Sequence, residues 1–162
     1  MSGINYYALE EIIVSRMIDT CPKIHFVRGL PDIFAIYDNQ QFANELNADG
    51  KGGAAFVIFW GEEVVEARKE CDRATHTYIV AIVTKRHDKL RTGERARLDN
   101  GGLVNQVLQG LRNWDYAPSL DYTAGKMRLK RVTCPVNRHQ FPPDQNGLVV
   151  TFLAYQAENL IT

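Results

Sequence analysis

Asn100-Gly-Gly-Leu-Val-Asn-Gln-Val-Leu-Gln-Gly-Leu-Arg-Asn-Trp114 is the stretch that decides the fold class. Leu103, Val104, Val107, Leu108 and Leu111 recur at three- and four-residue steps, while Asn105, Gln106, Gln109 and Arg112 fall opposite, the pattern of a helix over about 101–114 lying on a core. Asn100 stands where it can cap that helix. Gly110, on its flank, permits close approach to a neighbour at about 1 kcal/mol of helix propensity. Downstream the period shifts towards two. Lys126 to Cys134 sets Lys126, Arg128 and Lys130 against Met127 and Leu129, an exposed, half-buried strand that Pro135 ends. Leu148 to Tyr155 is apolar on both faces and reads as a central strand. Strands flanked by helices, without βαβ repeats, predict an α+β fold with helices packed on an antiparallel sheet.

Upstream, residues 5–20 read as a helix whose buried stripe is Tyr6, Leu9, Ile13 and Met17, with Ile12 beside them; Asn5 caps it and Cys21-Pro22 ends it. Ile24 to Arg28 reads as a short strand, and Asp38 to Asn47 as a short helix. The turn cluster from Asn47 to Gly53 then leads into Ala54 to Trp60, an apolar strand covered on both sides. Gly61-Glu62-Glu63 reads as a turn into an alternating strand, Val64 to Asp72, followed by a third over Thr75 to Thr84, so the expected sheet is mainly a meander. Lys85 to Asn100 reads as a long charged connection.

At 162 residues, the chain suits one domain spanning 1–162, burying about 70% of its unfolded surface. Nineteen basic side chains balance nineteen acidic ones, so no global field gathers nucleic acid or an anionic membrane. The start Met-Ser-Gly-Ile-Asn lacks signal-peptide features, and no apolar run approaches the ~20 residues that span a bilayer. A cytosol-like compartment is expected. Cys21, Cys71 and Cys134 are odd in number and lack a Cys-x-x-Cys pattern, which favours reduced core thiols over disulfides or zinc.

Motifs for chemistry are scarce. Gly50-Lys51-Gly52-Gly53 lacks the length and the Ser or Thr of a phosphate loop. His25, His76, His87 and His139 have no metal-ligand spacing, and Ser2, Ser15 and Ser119 lie in no nucleophile elbow. Asp32 with Glu66-Ala67-Arg68 loosely resembles a metal-dependent nuclease site, against the simpler reading of Glu66 as part of a solvated strand face. No cofactor is expected. The local basic excess comprises Lys85, Arg86, Lys89, Arg91, Arg95 and Arg97. It is either plain solvated surface or a contact for an acidic partner or passing nucleic acid. Trp60, Trp114, Phe152 and Tyr155 are expected in the core, with packing against copies of the chain as the alternative.

The capped N-terminal helix, the strands ending in Tyr78-Ile-Val-Ala-Ile-Val, the charged loop, and the glycine-led helix closing in Leu111-x-x-Trp114 before two final strands together resemble the tail terminator proteins of tailed bacteriophages, most closely the version in Mu-like phages and prophages. That resemblance implies a non-enzymatic α+β virion protein, assembled in the bacterial cytoplasm as a ring, typically hexameric, on the head-proximal end of the tail tube. The implied partners are further copies of itself, the tail tube protein, the sheath where one exists, and the head-completion or neck proteins. DNA passes through such a ring without specific recognition. The basic residues 85–97 would face a neighbour or the lumen. Another phage neck or tail-assembly protein of related fold is the alternative, with the nuclease more remote.

Overall fold

A computed structural model describes residues 6–31, 36, 53–67, 69, 72–85, 94–116, 127–133 and 148–161. Along the chain these form α1 (Tyr6–Thr20), β1 (Phe26–Gly29), β2 (Ala54–Ala67), β3 (Asp72–Lys85), α2 (Glu94–Leu111), β4 (Met127–Thr133) and β5 (Leu148–Ile161). The five strands make one sheet in the order β1-β2-β3-β5-β4. β1 runs parallel to β2, and every other pairing is antiparallel. Two hairpins, β2 with β3 and β4 with β5, are therefore joined through β3 and β5, giving the expected α+β class with a mostly antiparallel sheet.

Both helices lie on one face of the sheet. Leu9, Ile13 and Met17 of α1 and Val107 and Leu111 of α2 are fully buried there against Ala55, Val57, Tyr78, Val80, Ile82 and Leu153. The three- and four-residue spacing in both helices produces this single shared core, and truncating any one of these large side chains removes about 2–5 kcal/mol. On the other face Ala54, Phe56, Ile58, Ala81, Val83, Val150 and Phe152 form a second cluster with the buried Ile36. Strands with both faces covered are apolar throughout, as Ala54 to Ile58 and Tyr78 to Val83 are. The helix expected over Asp38 to Asn47 lies outside the described residues.

α1 has the expected span and buries Leu9, Ile13 and Met17, ending where Cys21 N donates to Met17 O at 2.8 Å; Ile12 is half-buried on its outer side, and the Asn5 cap lies outside the described residues. Other expectations require correction. Gly61-Glu62-Glu63 is no turn: β2 runs unbroken to Ala67, and register shifts between Phe59 and Gly61 and between Val64 and Glu66 absorb the irregularity as bulges. The expected strands 64–72 and 75–84 are thus the far half of β2 and part of a 14-residue β3. α2 begins at Glu94, seven residues before the expected Gly101, and ends at Leu111. Asn113 then takes φ 53° and Trp114 N bonds back to Leu111 O, a left-handed residue just past the helix end that asparagine tolerates. Trp60 is 58% exposed rather than core, whereas Phe152 and Tyr155 are buried and Trp114 is half-buried.

Because α2 starts early, Asn100 is not its cap but lies in its interior, buried against the sheet. Its amide nitrogen donates to Ile82 O at 2.9 Å, Val149 O at 3.1 Å and Thr84 Oγ1 at 3.3 Å, and its oxygen accepts from Thr151 Oγ1 at 2.6 Å. A single side chain thereby ties α2 to both central strands. Gly110 fills the role expected of it at the crossing of the helices. A Cβ there would sit 3.0 Å from Thr20 Cβ, and Arg16 Nε donates to Gly110 O at 3.0 Å.

Candidate functional site: the two sheet edges

β1 covers β2 only from Ala54 to Val57, and Leu30 N takes the next carbonyl, Val57 O, at 3.0 Å. Beyond that point no described strand pairs with the outer edge of β2. This segment carries the exposed Glu63 and Glu66 and the half-buried Glu62, together with the exposed Trp60, Val64 and Val65, the last 58% exposed. Glu66 stands 3.8 Å from Arg73 across the hairpin. At the opposite side of the sheet, β4 is the outermost described strand. It presents Arg128, Lys130 and Arg131 beside Leu129 and Val132, which are 42% and 48% exposed. Arg128 and Lys130 both approach Glu158 of β5, at 3.7 and 3.6 Å. One edge therefore has three carboxylates against one guanidinium, and the other three cations against one carboxylate. Edge strands offering unpaired backbone groups and exposed apolar side chains are natural docking sites for another strand.

The sequence marked β4 as an exposed strand but gave the β2 edge no such role, because Gly61 was read as a turn. The six basic residues expected to form a contact are distributed differently from a single loop. Lys85 closes β3 and Arg95 and Arg97 fall in the first turn of α2, while Arg86, Lys89 and Arg91 lie outside the described residues. Of the nuclease pair, Asp32 lies outside the described residues and Glu66 sits on the exposed strand face opposite Arg73. Among the described residues no cluster of three His, Cys, Asp or Glu side chains is placed to hold a metal. Gly53, with φ 91°, immediately precedes β2: its carbonyl accepts from His25 N at 2.9 Å, and a Cβ there would meet Val83 O.

A buried polar cluster under α1 was not foreseen. Glu10 is pressed against Gly29, where any Cβ would strike its Oε1, and its Oε2 has no hydrogen-bond partner among the described residues. Burial raises its pKa above the ordinary carboxylate value, with the Phe59 backbone bond opposing and Glu11 adding to the shift. His76 is fully buried, with Nδ1 3.3 Å from Tyr78 OH and Nε2 3.9 Å from Glu62 Oε1. Burial lowers its pKa, partly offset by the Glu62 carboxylate, so the imidazole is neutral at pH 7. Phe59 and Tyr78 pack their rings around it. The Cys21 thiol is likewise buried and pushed up, first by burial, as a core thiol should be. On the outer side of α1, Ala8, Glu11, Ile12, Ser15, Arg16, Asp19 and Trp114 line an open cleft of about 600 Å³, with the Arg16 guanidinium 5.7 Å from the Trp114 ring centroid. No helix of the described residues is long and apolar enough to cross a membrane.

The class these features define is an α+β domain built on one mostly antiparallel sheet, whose two outer edges differ in charge among the described residues. The chain belongs to the phage tail terminator protein family, whose model matches residues 3–157. It is accordingly a structural virion protein of the phage tail and not an enzyme. Among solved structures it is similar to a chain in the virion of a native gene transfer agent particle, at 12% identity and TM-score 0.45, covering 96% of this chain and 91% of that one. That likeness is too distant to carry a functional statement. No curated protein matches the sequence.

Proposed function

We propose that this chain, folding as one domain, ends tail-tube growth: copies close into a ring, most simply a hexamer, on the head-proximal end of the tube, stop polymerisation and present a surface to the head-completion or neck proteins. The family match over residues 3–157 carries this reading. Two unlike edges on one subunit support it, since a heterologous contact that closes generates a ring. Tail tube protein, the sheath where the tail contracts, and neck protein are the partners. DNA passes without specific contact, consistent with equal numbers of basic and acidic side chains. Lys85, Arg86, Lys89, Arg91, Arg95 and Arg97 are assigned to a neighbour or the lumen, and kinship to the Mu-like version belongs to this proposal. Electron microscopy of lysates with and without the chain tests it. Overlong headless tails in its absence are expected; tails of normal length would shift the assignment to a neck protein.

A further inference from the structure

We propose that the outer edge of β2 from Gly61 to Ala67, with which no described strand pairs, pairs antiparallel with β4, Met127 to Thr133, of a second copy, so that one sheet runs continuously from subunit to subunit. This rests on the ring reading above and specifies the surfaces that make it. In an antiparallel register setting Gly61 opposite Thr133 and Ala67 opposite Met127, Glu63 meets Arg131 and Glu66 meets Arg128. The apolar residues meet in the middle, Val64 and Val65 against Leu129 and Lys130.

The sheet faces agree with this register without adjustment. Directly opposed residues share a face, so Glu62, Val64 and Ala67, opposite His76, Ala74 and Asp72, belong to the helix-bearing face, and Glu63 and Glu66, opposite Thr75 and Arg73, belong to the other. On β4, Met127, Leu129 and Val132 oppose Ala157, Tyr155 and Leu153 of the helix-bearing face, and Arg128 and Arg131 oppose Gln156 and Ala154 on the other. On the helix-bearing face Val64 thus meets Leu129 and Ala67 meets Met127, with Glu62 opposite Val132, and opposite charges meet on the other face. The irregularities are compatible with it: β2 shifts register between Val64 and Glu66, and β4 between Leu129 and Arg131, so that Val64 pairs with Leu129 while the extra residues, Lys130 and Val65, lie on either side of that pair. Bulges and charges ordinarily protect an edge from pairing. A protected edge, however, would not also expose Trp60, Val64 and Val65.

Charge also selects the arrangement. Pairing β2 with β2 would bring carboxylates together, and β4 with β4 would bring cations together, so only the head-to-tail contact is favoured. Its stagger suits closure. Leu129 is level with Phe59 of its own subunit through Tyr155 and Tyr78. Each junction therefore steps about five residues, ~16 Å, along the strands for every four strands at ~4.8 Å spacing, a tilt of about 40°, inside the range of closed sheets.

The test uses two charge-reversed full-length chains, Glu63→Arg/Glu66→Arg and Arg128→Glu/Arg131→Glu, with circular dichroism to confirm folding and light scattering to count copies. Each alone should stay monomeric where the wild-type chain assembles, and an equimolar mixture should recover an assembly of even copy number, because the reversed edges then complement each other. Either variant assembling alone like wild type, or a folded mixture that stays monomeric, would overturn the pairing. Should the ring form only on tails, a Val64→Cys/Leu129→Cys chain oxidised on purified tails should give a ladder of cross-linked copies. Only monomer, on tails of normal length, would refute the edge contact and leave termination standing. Cross-linked rings beside overlong tails would do the reverse.

Discussion

Asn100→Ala should destabilise this protein by about 2 kcal/mol. The side chain's two amide hydrogens are shared among Ile82 O, Val149 O and, at the longest distance, Thr84 Oγ1, and its oxygen accepts from Thr151 Oγ1, which amounts to three full hydrogen bonds of on the order of 0.5–1.5 kcal/mol net each. Three such bonds give about 3 kcal/mol. Alanine's better helix propensity returns roughly 0.6 kcal/mol, leaving about 2. For a chain of this size that is a fall of about 4–8 °C in Tm. Asn105→Ala, on the exposed side of the same helix, makes the same propensity change without the network and serves as the reference. Asn100→Asp should lose more at neutral pH, since an ionised carboxylate cannot donate to two strand carbonyls. Thermal and urea unfolding followed by circular dichroism, at concentrations where the chain is monomeric, measures all three. If Asn100→Ala and Asn105→Ala differ by less than about 0.5 kcal/mol, the network is not what fastens α2 to the sheet, and the argument fails.

Gly110→Ala should lower stability by about 1 kcal/mol, because overpacking against Thr20 Cβ at 3.0 Å outweighs the propensity gain, whereas Gly101→Ala, with nothing within 4 Å of its Cβ, should raise it by about 0.5–1 kcal/mol. Chemical denaturation midpoints with unchanged slopes would establish both; equal shifts of one sign would refute the close-approach account. Glu10→Gln should stabilise the protein at pH 7. The wild-type carboxyl has a folded pKa above its unfolded value of 4.5, so the folded state holds the proton longer and stability falls as pH rises through that raised pKa. The variant's advantage should therefore be full above the raised value and vanish below 4.5. A Tm difference that does not change between pH 4 and pH 8 would show that the carboxylate is not penalised by burial.

The core was legible in the sequence because it repeats: Leu9, Ile13 and Met17, or Val104, Val107 and Leu111, announce a helix face by spacing alone, and both faces of the β2 start announce a covered strand. What escaped were places where one residue carries two readings. Asn100 is a good cap residue and also continues the stripe of Leu103, Val104, Val107 and Leu111, so periodicity alone favoured the buried role that propensity argued against. Gly61 serves equally in a turn or beside a bulge, and choosing the turn hid the long edge of β2. The exposed charges of β4 were visible as a strand, but an edge acquires meaning only from the strand at the far side of the sheet, and strand order is not written locally.

Magnitudes decide how the two edges would divide the work in the proposed subunit pairing. Each exposed ion pair contributes roughly 0–1 kcal/mol, so Glu63 with Arg131 and Glu66 with Arg128 cannot hold subunits together by themselves. Covering Val64, Leu129 and Val132, each about half exposed, recovers on the order of half of the 1.5–3 kcal/mol that full burial of such a side chain provides, and the ladder satisfies backbone groups otherwise left to water. Affinity thus comes from the apolar residues and the backbone, while the charges choose which edge meets which. In the proposed pairing, opposite charges sorted onto opposite edges disfavour both self-pairings and favour the head-to-tail contact on which the ring reading depends.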